Sequence, residues 1–413
     1  MKVLMSVAAT FSLFLLSACG GSSSSDEAVT LSEAEIGEML FHDTNLSLHR
    51  NISCATCHDP EHAFVDARFK EDASDPTYGA LSRGSDGVAL GGRNAPTASY
   101  AGLAPEFSQD ESGVYTGGQF HDGRAASVKE QAKGPFIDSA EMMMPDAQSV
   151  IERIKENSEY VTAIEAIYGQ GYLNGEDTQA IYDSIAQMIA KFEKTELFSP
   201  FDSKYDLFLA CKEAGNGEGF CYEDGNWSIE EQAGYALFFS NNNTNCVSCH
   251  TLNSQSEASS RELFTNYKYE NIGTPRNTQA LIARDGDTQH LEKGLGGFLE
   301  SEGLMEDASE HYGKIKVPTL RNIAVSAPYM SNGVFQELRT VLAFYDHMAG
   351  QGGHPINPET GQAWQSNDYN ATINNELLRA TRELTDDKIR NLEAFLRTLT
   401  DARYEDLLEP LAP

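Results

Sequence analysis

The chain has 413 residues and is strongly acidic, with 62 aspartates and glutamates against 30 lysines and arginines and a formal net charge of −32. An acidic surface repels a phosphate backbone, so the composition argues against nucleic acid as a partner. The length is sufficient for two domains.

The N-terminus predicts export. A basic second residue precedes an apolar run at 3–16, which is typical of a secretory signal and too short to span a membrane. Leu-Ser-Ala-Cys, ending at Cys19, has the form of a lipoprotein processing site, so we expect a signal over 1–19 and acylation of Cys19. The alternative is ordinary cleavage that leaves Cys19 as an odd thiol. Residues 20–30 are then expected to form a flexible tether.

Two copies of one pentapeptide dominate the sequence. Cys-Ala-Thr-Cys-His at 54–58 recurs in type as Cys-Val-Ser-Cys-His at 246–250. Cys-x-x-Cys-His is the attachment pattern of c-type haem, in which His58 and His250 would be the proximal iron ligands. A zinc ribbon needs two cysteine pairs about 15–20 residues apart, and a thioredoxin-like pair needs a flanking βαβ pattern, so both alternatives are weaker. The residues predicted to bond the haems are Cys54, Cys57, Cys246 and Cys249.

A weak internal repeat surrounds these motifs. The segments at 32–41 and 228–239 each begin with a serine cap and early acids, then carry a glycine before an apolar cluster. Each predicts a helix that leads into a haem-binding loop. We therefore expect a mainly α fold with long loops and two cytochrome c-like haem domains, at 31–226 and 227–413.

Further features follow in chain order. Apolar stripes at 181–192 and 389–399 have helical spacing and are expected to face a core. Between them lie the two cysteines not yet assigned, Cys211 and Cys221. A disulfide between them is expected in an oxidising compartment, where it would contribute about 2–3 kcal/mol at most; a pair of free thiols is the alternative.

Several segments carry a family resemblance. This chain has Phe-His-Asp-Gly-Arg-Ala at 120–125, Glu-Gln-Ala-Lys-Gly-Pro at 130–135, Glu-Met at 141–142, Lys-Val-Pro-Thr-Leu-Arg-Asn at 316–322 and Ala-Pro-Tyr-Met at 327–330. In these motifs, which occur in the family's order, it resembles the bacterial dihaem cytochrome c peroxidases, including the MauG-like enzymes. The resemblance extends from about residue 31 to about residue 400.

The resemblance implies a peroxidatic site at the first haem. Glu141 would stand on the distal side and move a proton between the oxygens of hydrogen peroxide. Gln131 would lie in the same pocket, together with Pro135. Some peroxidases block the first iron with a second histidine from the following loop, where this chain has only His62. His62 is too close to His58 in sequence to reach the opposite haem face, so we expect an open first haem.

At the second haem the family's other axial ligand falls 17 residues after the proline of Ala-Pro-Tyr, which is Tyr345 here. The peroxidases have methionine at this position, and the MauG-like enzymes have tyrosine. A phenolate stabilises ferric iron and should lower the reduction potential relative to a thioether. His347 and Met348 are close rivals, and a merely packed Tyr345 is the remaining alternative.

The chain departs from the family at His121, where the inter-haem tryptophan is expected. The imidazole should still bridge haem propionates through hydrogen bonds, and it would add sensitivity to pH. The resemblance also implies a calcium ion between the haems, bound by Asn94 and by the carbonyls of Ser326 and Pro328; a plain turn is the alternative.

The sequence thus predicts an exported dihaem oxidoreductase that uses hydrogen peroxide to oxidise a small c-type cytochrome or a protein partner. The Tyr345 assignment favours the protein partner. The acidic charge would attract a basic redox protein, although it also serves solubility alone. The alternative is a membrane-tethered dihaem cytochrome that only transfers electrons. The expected location is periplasm-facing, on a lipid anchor of a Gram-negative-type bacterium, or otherwise free in the periplasm.

Overall fold

A computed structural model describes residues 31–68, 75, 77–252 and 261–411. The predicted signal peptide, the tether and Cys19 lie outside these residues. The N-terminal half contains the helices α1 Glu33–His42, α2 Cys54–Cys57, α3 Val128–Ile137, α4 Ala147–Lys155, α5 Ser158–Tyr168 and α6 Thr178–Phe192.

The C-terminal half is also helical. Its helices are α7 Lys204–Glu213, α8 Glu218–Asp224, α9 Ile229–Phe238, α10 Thr278–Asp285, α11 Gly294–Ser301, α12 Leu338–Ala349, α13 Asn375–Arg379 and α14 Asp386–Arg397. Among the described residues, four two-residue strands form two antiparallel pairs, β1 Ser108–Gln109 with β2 Tyr115–Thr116 and β3 Tyr269–Glu270 with β4 Ile315–Lys316. The prediction of a mainly α fold with long loops is confirmed.

The internal repeat is confirmed at the helix pairs α1–α6 and α9–α14. The first helix of each pair begins with a serine capping box, at Ser32 and at Ser228. In each pair a glycine of the first helix lies directly against the backbone of the second. A methyl group at Gly37 would come within 2.0 Å of the Met188 carbonyl oxygen, and one at Gly234 within 1.9 Å of that of Asn391. Glycine thus permits both close helix crossings.

Each half has its own apolar core. One cluster runs from Ile36 to Phe198 and holds the stripe of α6, and the other runs from Tyr205 to Leu399 and holds the stripe of α14. Helices α7 and α8, which are joined by the Cys211–Cys221 disulfide, pack in the second cluster through Phe208 and Cys221. The boundary between 226 and 227 stays a prediction; α7 and α8 precede it in the sequence but pack in the core of the C-terminal half.

The two halves meet at a buried polar cluster around Asp401. Tyr100 donates from its hydroxyl to the carboxylate of Asp401 at 2.5 Å, and Asn322 donates from its amide nitrogen at 2.7 Å. Arg321 is 1% exposed, pairs in bidentate fashion with Asp206 and lies over the Tyr100 ring. The contacts of Tyr100 with Asp401 and Arg321 cross the junction, because Tyr100 belongs to the first half and these partners to the second.

Within the described ranges, no helix is both long and apolar enough to cross a membrane.

The helix crossing at Gly234 can be tested by adding one methyl group. Gly234→Ala should lower the free energy of unfolding by about 1–3 kcal/mol, because α9 and α14 must separate to admit the Cβ. Gly219→Ala is the matched control, since nothing lies within 4 Å of its Cβ and alanine favours the helix α8. Thermal unfolding of the haem-loaded proteins measures both changes, and equal midpoints would contradict the close crossing.

Candidate haem centres

One cavity of about 930 Å³ connects both pentapeptides. Its size is near the upper end for ligand pockets, which span about 300–1,000 Å³. All four motif cysteines are outside any disulfide, and all four line the cavity together with His58 and His250. The structure therefore offers two thiol pairs and two imidazoles to one interior space, as two covalently bound haems require.

Both histidines are oriented in the same way. The ring Nδ1 of His58 donates to the carbonyl of Phe64 at 3.2 Å, and that of His250 donates to the carbonyl of Phe264 at 2.9 Å. Each phenylalanine has φ 55°, a left-handed conformation that turns its carbonyl toward the ring. Burial lowers the pKa of both imidazoles, so each keeps a free lone pair on Nε2 for a metal.

The cysteines fit thioether bonds better than thiolate chemistry. Burial raises the pKa of Cys57 to about 12 and that of Cys249 to about 11. Burial also raises the pKa of Cys54 and Cys246. A zinc site or a reactive redox pair needs depressed thiol pKa values. In addition, the part of the chain that the structure describes has no group of three or more His, Cys, Asp or Glu side chains fit to bind a metal ion.

The expected distal residues share one stretch of the wall. Gln131 and Pro135 of α3 line the cavity, as does Glu141 in the turn that follows. The backbone fixes that turn, since Glu141 donates its N–H to Asp138 and accepts a hydrogen bond from the N–H of Ser85 at 2.8 Å. The structure thus brings all three predicted residues together.

Glu141 is poised for proton transfer near neutral pH. Burial raises its pKa to about 7, and the charge of Asp138 adds to this shift while that of Arg124 opposes it. A carboxyl group with a pKa near the working pH both accepts and returns a proton efficiently.

His62 stays out of the cavity wall. Its ring Nδ1 lies 2.8 Å from a carboxylate oxygen of Asp59, which holds it at the surface end of the loop. The contact agrees with the expectation that His62 does not reach the distal side, and the open first haem stays a prediction.

Helix α12 separates the three candidates for the second axial position. Tyr345 lines the haem cavity, whereas His347 and Met348 line a different cavity of about 510 Å³ beside Trp364. His347 stacks on the Trp364 ring at 5.5 Å. Because only Tyr345 of the three lines the haem cavity, this placement favours Tyr345.

His121 lies at the seam between the halves. Its ring Nε2 donates to the carbonyl of Asn94 at 3.0 Å. Burial, supported by the positive charge of Arg93, lowers the pKa of His121 to about 4. The ring is therefore neutral around pH 7, which runs against the expected sensitivity to pH in that range. Asn94, Ser326 and Pro328 line the same cavity.

Several charged groups of this wall are not among the residues predicted from the sequence. Arg93 pairs with Asp122 at 2.6 Å and with Glu292 at 2.7 Å, and Lys316 lies nearby. Glu193 also faces the cavity, where burial raises its pKa to about 8. Lys316 begins one of the family-like motifs, and Arg93 is adjacent to the predicted calcium ligand Asn94. Their positions in the sequence could therefore have identified both as candidate site residues. Nothing in the sequence around Glu193 distinguished it.

Comparisons with known proteins agree with this site. The family model for di-haem cytochrome c peroxidase matches residues 32–214. The methylamine utilization protein MauG of Paracoccus denitrificans is 40% identical over 91% of this chain and 90% of its own length. The cytochrome c551 peroxidase of Pseudomonas aeruginosa is 26% identical over 91% of this chain and 80% of its own. The diheme peroxidase BthA of Burkholderia thailandensis has a TM-score of 0.73 and 28% identity, covering 92% of this chain and 90% of that one.

The chain therefore belongs to the dihaem cytochrome c peroxidase family, within which MauG falls. It is a peroxidase-type oxidoreductase with two c-type haems, acting on peroxide and on a redox protein or protein substrate. The comparisons give no support to a purely electron-transferring cytochrome.

The pH dependence of the peroxide reaction tests the role of Glu141. The rate should rise as pH increases through about 7 and be about a hundredfold lower at pH 5 than at pH 8, because only the ionised carboxylate accepts a proton. Glu141→Gln should slow the reaction by about 10²–10⁴-fold and remove the pH dependence, with haem content unchanged. Stopped-flow absorbance measures both effects.

Glu130→Gln is the matched control, since Glu130 lies on the exposed side of α3 and pairs with Lys133. It should retain the rate and pH profile of the unmodified protein. A Glu141→Gln variant that behaves like this control would remove Glu141 from the reaction.

Proposed function

We propose that this protein uses hydrogen peroxide to oxidise a side chain of a protein partner, with Tyr345 as the second axial ligand of the C-terminal haem. The single observation that supports the proposal is the position of Tyr345 in the cavity wall, from which His347 and Met348 are absent. Oxidation of a reduced small cytochrome is the second candidate, because several relatives are cytochrome c peroxidases.

The chain would hold its haems through residues already described. His58 and His250 would be the proximal ligands, and the cysteine pairs would form the thioether bonds. When bound, the haems supply the iron that reacts with peroxide and the sites that keep its oxidising equivalents. Glu141 would take a proton from one peroxide oxygen and deliver it to the other, which leaves as water. Gln131 would orient the peroxide through its amide group.

Tyr345 would determine which reductant the protein uses, through its effect on the reduction potential of the second haem. A phenolate oxygen carries negative charge and stabilises ferric iron, whereas a thioether favours the ferrous state. A low potential makes the second haem a poor acceptor of electrons from a cytochrome. It makes the same site better suited to keep an oxidising equivalent until a protein side chain supplies the electron.

The test compares Tyr345→Met with the unmodified protein. Tyr345→Met should raise the potential of the second haem and speed the peroxide-driven oxidation of a reduced small c-type cytochrome, because a thioether replaces an anionic oxygen. Spectroelectrochemical titration and steady-state cytochrome oxidation measure the two effects.

Two controls separate ligation from packing. Tyr345→Phe keeps the ring but removes the oxygen, and it should also alter the potential. Met348→Leu changes a residue of the other cavity and should leave the potential unaltered. An unaltered potential in both Tyr345 variants would assign the ligand elsewhere, and an unmodified protein inert to peroxide would refute the function itself.

We also propose a calcium ion bound by Asn94, Ser326 and Pro328. The amide nitrogen of Asn94 donates to the carbonyl of Ala80 at 3.1 Å, which leaves its amide oxygen available to a cation. Neutral oxygens completed by waters suit calcium. Chelation should change the haem spectrum and added calcium should restore it; a spectrum indifferent to chelator would contradict the site.

Export and lipid anchoring at Cys19 are proposed from the N-terminal sequence alone. They would place the protein on a periplasm-facing membrane surface, where its negative charge favours a basic partner. Cys19→Ser should move the protein from the membrane fraction to the soluble fraction of the expressing bacterium. Unchanged fractionation would contradict the anchor.

A further inference from the structure

The cationic side chains of the haem cavity are almost all neutralised by carboxylates of the chain. Among the described residues, six arginines and lysines line the wall, and five of these six side chains form an ion pair. These pairs are Arg93 with Asp122 and Glu292, Arg124 with Asp122, Arg284 with Asp285, Lys293 with Glu300, and Arg321 with Asp206.

Lys316 is the exception. Its ammonium group donates to the carbonyl of Gly118, and no carboxylate of the described chain lies within ion-pair distance of it. The charge of Asp122 acts on Lys316, but Arg93 and Arg124 already bind the Asp122 carboxylate. Burial lowers the pKa of Lys316 to about 8, so the group is still mostly protonated at pH 7.

The backbone fixes Lys316 in this place. It ends the strand β4, pairs with Tyr269 of β3 and donates its N–H to the carbonyl of His121 at 2.9 Å. This register holds the Lys316 backbone at the cavity wall, and the hydrogen bond to Gly118 keeps its ammonium group there. A cation largely enclosed by protein is unfavourable without an anion. An anionic group of whatever fills the cavity would supply the negative charge that Lys316 lacks.

We propose that Lys316 binds a propionate carboxylate of a bound haem at the seam between the two halves. Haem is the occupant that the cysteine pairs imply, and its propionates are the anionic groups it brings. A lysine ammonium is a compact point charge that suits a carboxylate approaching from one direction. In the internal repeat, Lys316 of the second half corresponds to Asn94 of the first half, which is neutral. The cation is therefore present on only one side of the seam.

The internal repeat supports that correspondence through several contacts. Thr97 donates from its hydroxyl to the carbonyl of Ala63 at 2.6 Å, and Thr319 donates to that of Leu263 at 2.7 Å. Lys316 precedes Thr319 by three residues, as Asn94 precedes Thr97. The proposed contact of Lys316 requires only that haem be bound. It is therefore independent of the choice of reductant and of the role of Tyr345.

The experiment uses the haem-loaded protein with Lys316→Gln, Lys316→Arg and Lys268→Gln. Lys268 lies on the neighbouring strand segment and is exposed, so its change to glutamine removes the same charge outside the cavity. Lys316→Gln should favour ferric over ferrous iron about tenfold at one haem, equivalent to about 59 mV, because a cation beside the porphyrin destabilises the oxidised state. Its propionate bending modes in resonance Raman spectra should also shift.

Lys316→Arg keeps the charge, so its ferric-to-ferrous ratio should stay within about twofold of that of the unmodified protein, as should that of Lys268→Gln. If Lys316→Gln fails to assemble with haem, the arginine variant decides, since a tenfold change there would show that charge is not the cause. A lowered potential without any change in the propionate modes would overturn the proposal. So would unaltered modes and potentials in all three variants.

Discussion

The arrangement of this protein depends on a hydrogen bond that occurs twice, from the Nδ1 of a motif histidine to the carbonyl of a left-handed phenylalanine. That bond fixes the tautomer and the ring plane of each imidazole, so that Nε2 faces the cavity. The phenylalanines are themselves fully buried in the two cores. The packing of each core therefore sets the position of the phenylalanine carbonyl, and this carbonyl sets the direction of the histidine Nε2. A shift in the core would turn Nε2 away from the position that a metal needs.

The seam between the halves carries the second constraint. Arg93 joins Asp122 of the first half to Glu292 of the second, and Tyr100 joins the first half to Asp401. Buried ion pairs contribute little net stability, because desolvation offsets their attraction. Their value here is in fixing orientation, since they keep two haem-binding units in one geometry and surround a shared cavity with charges of defined sign.

The sequence was most informative where chemistry requires a fixed local spacing. The haem pentapeptides, the serine caps and the apolar stripes of α6 and α14 depend on neighbours within one or two helical turns, and the structure has them as predicted. The family motifs assigned Glu141 and Gln131 to the first haem and Tyr345 to the second, and in the structure all three line one cavity.

What the sequence could not provide depends on residues far apart in the chain. The pairing of Arg93 with Glu292 joins positions 199 residues apart, and the low pKa of His121 follows from burial that only the assembled seam creates. The packing of α7 and α8 in the C-terminal core also depends on contacts between distant residues. No change of composition along the chain indicates which core these helices join.

The family resemblance implies a tryptophan where this chain has His121, and this departure has a physical consequence for the seam. An indole is easily oxidised and offers one N–H, and the neutral imidazole also offers one, which here is used on the carbonyl of Asn94. The hydrogen-bonding capacity of the missing indole is thus reproduced, but its redox-active ring is not. Lys316 lies beside this position and is a cation, so it disfavours positive charge on any group between the haems. Charge exchange between two bound haems would therefore proceed without an indole at this position, and the side chains of the seam would set how readily it occurs.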